Sequence, residues 1–151
     1  MIALIQRVAS ASVAVDNQVI GAIERGILAL VGVERGDTQA EAERLVERVL
    51  GYRIFTDAAG KMNLSLKDVE GGLLAVPQFT LVADTNSGTR PSFSSGASPE
   101  AGRELFTVFV EKAKALHAKT ESGRFGADMK VSLLNDGPVT FWLRVPPKRA
   151  S

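Results

Sequence analysis

The chain has 151 residues, 45% of them hydrophobic and 23% charged, with no cysteine and a net charge of +1. That is enough chain for one domain with its own core. It excludes disulfides, thiolate metal sites and a cysteine nucleophile, a membrane-spanning apolar run, and a large nucleic-acid footprint, because such binding grows with each phosphate neutralised. A small contact with one end of an RNA stays open. The start, Met1-Ile2-Ala3-Leu4-Ile5-Gln6-Arg7, lacks the basic segment, long apolar core and cleavage site of a signal peptide. A cytoplasmic location is expected.

Residues 2–8 read as a strand, apolar except for Gln6 and Arg7. Ser12-Val13-Ala14-Val15-Asp16 alternates polar and apolar, the pattern of a half-buried strand. Asn17-Gln18 suits a turn, and Val19 to Glu24 returns antiparallel. After Arg25-Gly26, the apolar run Ile27 to Val33 reads as a central strand. Thr38 and Glu41 fit a capping box. Ala42, Leu45, Val46, Val49 and Leu50 follow at helical spacing, and Gly51 ends the pattern.

Tyr52 to Phe55 is short and extended, Asp57 to Lys61 is a loop, and Met62 to Leu66 is ambiguous. Leu73 to Val76 is a buried strand by composition and runs into Pro77-Gln78-Phe79-Thr80-Leu81-Val82. Pro77 marks a strand end, an edge or a bulge there. Residues 83–97 form a long polar loop, of a length that tends to be functional or mobile. Ser98 caps a helix with Pro99 at its first position, running to about Lys119. Gly123 opens a connector, and two strands follow, Val131 to Leu134 and Phe141 to Val145. The whole reads as one α+β domain over 1–151: a curved, mainly antiparallel, barrel-like sheet with two packed helices. Residues 146–151 are expected to be a frayed tail.

Few side chains suit catalysis. His117 is the only histidine. It sits late in a helix among Lys112, Lys114 and Lys119 and reads as surface or as support for the helix dipole. No His/Cys/carboxylate cluster has metal-ligand spacing, so neither a metal nor a cofactor is expected. A hydroxyl and main chain remain. Thr80 reads as an ordinary β-branched strand residue, or as a polar group at a pocket mouth. In the second case the Phe79 and Thr80 N–H groups face a developing oxyanion. Phe125, after Arg124, is either core or a stacking surface for a base.

Between the last two strands lies Asn135-Asp136-Gly137-Pro138-Val139-Thr140. Proline removes a ladder donor and glycine frees the backbone. The step is an ordinary turn, or a rigid wedge of carbonyls that meets a ligand or a partner chain.

These residues resemble a known family. Pro77-Gln78-Phe79-Thr80-Leu81 is similar to the Ser-Gln-Phe-Thr-Leu motif of D-aminoacyl-tRNA deacylases, and residues 135–140 to that family's Gly-cisPro motif. The likeness spans nearly the whole chain, including Gly51-Tyr52-Arg53-Ile54-Phe55, Gly60-Lys61-Met62-Asn63 and Arg90-Pro91-Ser92-Phe93. It implies a homodimer with sites at the subunit interface, each binding the 3′-terminal adenosine of a charged tRNA. Gly137 and Pro138 of one subunit would enter the other's pocket, hold the amino group of a D-residue and exclude an L side chain. Glycine, with no side chain to exclude, would also be removed. Phe125 and Met129 would hold adenine, and Gln78, Phe79 and Thr80 would surround the ester. Much of the activation would come from the substrate's 2′-hydroxyl. Pro77 departs from the family's serine, so any role of that hydroxyl is absent. The competing classes are a non-catalytic dimer that binds the tRNA 3′ end, and a peptidase using Thr80. The latter lacks a base and a free N-terminal threonine.

Overall fold

The computed structural model describes residues 1–148. Its organising strand is β1 (Ile2–Val15). One edge of β1 pairs antiparallel with β3 (Gly26–Gly32) through its first half and with β2 (Gln18–Ile23) through its second. The other edge pairs antiparallel with β8 (Lys130–Arg144) from Ile2 to Ala14. Beyond β3 the sheet continues in parallel, with β6 (Gly72–Pro77) and then β7 (Thr120–Ser122). β2 curls back towards β7, so that a Cβ on Gly21 would lie 3.1 Å from the Ser122 carbonyl oxygen. The sheet is therefore mixed and nearly closes on itself.

Parallel neighbours need crossovers, and the two helices lie on these connections. α1 (Gln39–Gly51) lies between β3 and β6, followed by a small hairpin of β4 (Phe55–Thr56) and β5 (Met62–Leu64). α2 (Pro99–Leu116) links β6 to β7. α1 starts at Thr38, whose hydroxyl accepts from the Ala40 N–H while the buried Glu41 carboxylate accepts from the Thr38 N–H at 2.7 Å.

The core has two parts because the central strands are buried on both faces. On β6, Leu73 and Ala75 pack with Leu45, Phe109 and Phe106 of the helices, while Leu74 and Val76 pack with Val8, Val13 and Leu28 inside the rolled sheet. The far end of β8 is pinned by Arg144, which donates to Glu34 at 3.0–3.2 Å. Burial pushes the Glu34 carboxyl up, but Arg144 and the Met1 nitrogen outweigh it and leave it below the usual range.

Several elements differ from the sequence reading. The runs 2–8 and 12–16 are one strand, because β8 pairs across the polar break with only shifts in register. The first turn falls on Asp16 and Asn17, both at positive φ, as a tight hairpin requires. Of the three readings of Pro77, the strand end holds, and Phe79–Val82, read as continuing strand residues, form a 3₁₀ turn. α2 ends at Leu116 instead of Lys119. His117 caps it, half-buried, with its Nε2 2.6 Å from the Gly71 carbonyl. Strand β7 falls between the expected helix end and Gly123, where three residues carry too little pattern to show a strand. Of the expected tail, the Lys148 N–H reaches the Glu41 carboxylate at 3.2 Å, while residues 149–151 lie outside the described residues.

The tightest approach in the sheet is Gly26 against Gly72, where a Cβ on Gly26 would sit 1.9 Å from the Gly72 carbonyl oxygen. Backbone stands on both sides and cannot give way cheaply. Gly26→Ala is expected to cost on the order of 3 kcal/mol through overpacking. Urea denaturation measures this as a lowered midpoint, and an unchanged midpoint contradicts the packing described.

Candidate functional site

β6 ends against β3 at the Val31–Pro77 pair, and the Gln78 N–H closes the strand on the Val31 carbonyl at 2.8 Å. The chain then turns outward. In the 3₁₀ turn, the Leu81 N–H bonds back to Gln78 and the Ala83 N–H to Thr80. The first N–H groups of a helical turn have no acceptor within it. Those of Phe79 and Thr80 make no hydrogen bond among the described residues. The Gln78 side-chain amide donates to the Thr80 hydroxyl, which holds both side chains on the outer side of the turn.

Beside this turn opens a cavity of about 500 Å³, within the size range of small-ligand sites. Its wall is mostly apolar. The last turn of the polar loop and the start of α2 form one side, and the connector 125–129 forms the other. Phe125 lies against Gly102 of α2, where a Cβ would stand 3.1 Å from the Phe125 Cζ. The Arg103 guanidinium lies 5.1 Å from the centre of the same ring. Met129 is held by its sulfur, which accepts from the Arg124 N–H at 3.4 Å. Gly123 leaves room for that sulfur, since a Cβ there would fall 2.8 Å from it. At the rim, Phe79 and Phe93 meet with ring centres 5.4 Å apart and are 67% and 46% exposed. Polar loop 83–97 delivers Phe93 because it is tied down at both ends. Asp84 and Ser92 exchange backbone bonds, and the Ala97 N–H donates to Val33.

The structure thus brings Gln78, Phe79, Phe125 and Met129 to one cavity. Thr80 sits on the adjoining turn without lining the cavity. Gly137 and Pro138 stand elsewhere on the same chain, exposed on β8. The Gly-Pro step does not separate two strands, as the sequence suggested. It interrupts one. Gln6 pairs with Thr140 and Val8 with Asn135, so residues 136–139 face Arg7 alone and bulge out. The Gly137-Pro138 peptide is cis, and Gly137 has φ of 142°, a region that disfavours side chains. Arg7 braces the bulge. Its Nε donates to the Asp136 carbonyl at 3.0 Å and its Nη1 to the Ile54 carbonyl at 2.7 Å. Arg7, Arg103 and Phe93 were not singled out as site residues by sequence. Only Phe93, an aromatic inside a polar loop, offered a signal.

The fold and this pairing of an apolar cavity with a braced Gly-Pro bulge define an enzyme class. The family model for D-Tyr-tRNA(Tyr) deacylase matches residues 4–144, and the chain belongs to that family and is a deacylase of that kind. It is 61% identical over 147 residues to the D-aminoacyl-tRNA deacylase of Janthinobacterium sp. (strain Marseille), covering 97% of this chain and 99% of that one. It is 62% identical over 149 residues to that of Thioalkalivibrio sulfidiphilus (strain HL-EbGR7), covering 99% and 100%. The solved structure of c-Myc DNA Unwinding Element Binding Protein superposes with a TM-score of 0.92 at 38% identity, over 97% of this chain and 99% of that one. A probable eukaryotic D-amino acid tRNA deacylase shares the fold, with a TM-score of 0.81 at 18% identity.

Among the described residues Asp128 alone lines the cavity with an ionisable side chain, and it is exposed and paired with Lys130 at 3.3 Å. A carboxylate that already faces an ammonium and open solvent is poorly placed as a general base. Asp128→Asn is expected to lower kcat/KM by less than about threefold, against the roughly 10²–10⁴-fold that general acid–base catalysis contributes. Steady-state kinetics of the variant decides; a hundredfold loss would make Asp128 the base.

Proposed function

We propose that the protein hydrolyses the ester joining a D-amino acid or glycine to the 3′ end of tRNA, at two equivalent sites of a cytoplasmic homodimer. The observation that carries the reading is the division of parts within one chain. The cavity's lining does not include the Gly-Pro bulge, which projects elsewhere on the same chain. Two copies related by a twofold axis supply each cavity with the other's bulge.

Strand β8 supports such a pairing. Trp142 and Leu134 lie on either side of the bulge along the strand, registered opposite Leu4 and Ser10. Trp142 is 55% and Leu134 62% exposed. Large apolar side chains left uncovered on both flanks of the bulge are what a self-interface uses.

In the assembled site, Phe125 and Met129 hold the terminal adenine between an aromatic face and a polarisable thioether. Gln78, Phe79 and Thr80 then surround the ester. Water adds to the ester carbonyl carbon, and the charge that builds on its oxygen faces the free N–H groups of Phe79 and Thr80. Such donors stabilise the barrier by roughly 2.7–4 kcal/mol each. The C–O bond breaks and the 3′-hydroxyl leaves with a proton. With an exposed, ion-paired carboxylate as the cavity wall's ionisable group, the neighbouring 2′-hydroxyl of the substrate is the group placed to assist. The carbonyls of Gly137 and Pro138 receive the amino group. In that pose a D side chain points away from the bulge, whereas an L side chain collides with it. Main chain does the selecting, so the identity of the side chain matters little.

Purified protein is expected to clear D-Tyr-tRNA about 10²-fold faster than L-Tyr-tRNA or more, a difference of roughly 2.7 kcal/mol in barrier. It should also clear Gly-tRNA. Equal loss of both enantiomers contradicts the reading, and tight tRNA binding without turnover replaces it with a non-catalytic end-binder. Thr80→Ala should keep measurable turnover, because the hydroxyl positions and does not attack. Normal substrate binding with complete loss of turnover would make it a nucleophile.

A further inference from the structure

The bulge leaves two carbonyls without a ladder partner. Arg7 has no opposite residue on β8, and Val139 has none on β1. One side chain takes both. The Nδ2 of Asn135 donates to the Arg7 carbonyl at 2.9 Å and to the Val139 carbonyl at 3.0 Å. Both acceptors are carbonyls, so the amide orientation is set by chemistry: the NH₂ group has to face them. Asn135 is half-buried, which makes an unmade bond there costly.

These two bonds span the bulge at its base. Val139 lies just past Pro138, and Arg7 lies across the sheet beneath the loop. The amide therefore fixes where residues 136–138 leave β8 and where they rejoin it. Arg7 grips the same loop from the side, at the Asp136 carbonyl. With the base and one flank held, the Gly137 and Pro138 carbonyls keep one direction.

We propose that Asn135 is a positioning residue for chiral discrimination: it clasps the base of the bulge and so aims the two carbonyls that receive the substrate's amino group. This rests on the reading that Gly137 and Pro138 face the amino acid. Asn135 touches no substrate in this account. Without its two donors the bulge gains freedom, and loosened carbonyls neither seat a D-residue as well nor bar an L-residue as firmly. A side chain that only supported folding would act on both enantiomers alike.

The test measures kcat/KM for D-Tyr-tRNA and L-Tyr-tRNA with the full-length protein and three variants. Asn135→Asp keeps the shape and removes both donors, and Asn135→Gln keeps the NH₂ group on a longer stem. Gly137→Ala checks the underlying reading directly. The D:L ratio is expected to fall at least tenfold in Asn135→Asp, through kcat for the D substrate more than through KM, with Asn135→Gln between it and the parent. The melting temperature should fall by several degrees, as the loss of two half-buried bonds entails, with the variant still folded at the assay temperature. Should Asn135→Asp fail to fold, Asn135→Ser, which retains one hydroxyl donor, is expected to lower the ratio by a smaller factor. An unchanged ratio in a folded variant overturns the inference, as does an equal loss for both enantiomers. If Gly137→Ala lowers the ratio and the Asn135 variants do not, only the clasp is wrong. If Gly137→Ala leaves the ratio intact, the reading beneath it fails and takes the clasp with it.

Discussion

A mismatch in register shapes this molecule's surface. β8 is held to β1 on both sides of Arg7, by the Gln6–Thr140 pair and by the Val8–Asn135 pair. Four residues have to pass where one would fit. The ladder cannot slip to absorb them, since a one-residue shift would turn buried side chains such as Leu143 outward. The surplus leaves the sheet instead, and a proline within it has no N–H to pull it back. Arg7 and Asn135 then turn loose chain into a fixed projection. The precision of this feature comes from the sheet beneath it, which holds β8 in register on both sides.

The cavity is built on a different principle. Its walls come from the end of the polar loop with the start of α2, from the ends of β3 and β6, and from the connector after β7, three regions far apart in sequence. Close approaches at Gly102 and Gly123 let Phe125 and Met129 settle against the helix and the sheet. The result is a slot of carbon and sulfur with few charges. It suits a flat, weakly polar group, and in the proposed reading it lets a protein of net charge +1 hold one end of a nucleic acid. Recognition of a terminal nucleoside needs stacking, not a run of phosphate contacts. The same lack of ionisable groups agrees with a reaction in which the protein orients donors and the substrate contributes a hydroxyl.

Much of this was legible in the sequence, unevenly. The capped helix starts at Thr38 and Ser98 were plain because local side-chain chemistry decides them. The central strands were plain because burial on both faces leaves an unbroken apolar run. Gln78, Phe79, Phe125 and Met129 were found through motif resemblance, and they do share a cavity. Hidden features depend on partners distant in the chain. The 3₁₀ turn after Pro77 forms where β3 no longer offers a partner, and β7 pairs only with the edge of β6. The continuity of β8 through a Gly-Pro step is imposed by β1. Arg7 and Asn135 bond across more than a hundred residues, so neither local pattern nor spacing could pair them.

If one copy of the chain completes the other's site, mixing subunits will reveal it. One variant, Gly102→Leu, fills the cavity against Phe125; another, Gly137→Val, spoils the bulge at a backbone angle that valine resists. Each alone forms homodimers with two damaged sites. After unfolding and refolding together, half the dimers are mixed, and each mixed dimer pairs one intact cavity with one intact bulge. The account predicts that D-aminoacyl-tRNA hydrolysis returns to roughly one quarter of the parent rate per protomer, the share expected for random pairing about a twofold axis. No recovery from mixtures that demonstrably exchange subunits would mean that each chain works with its own parts, and would contradict the account.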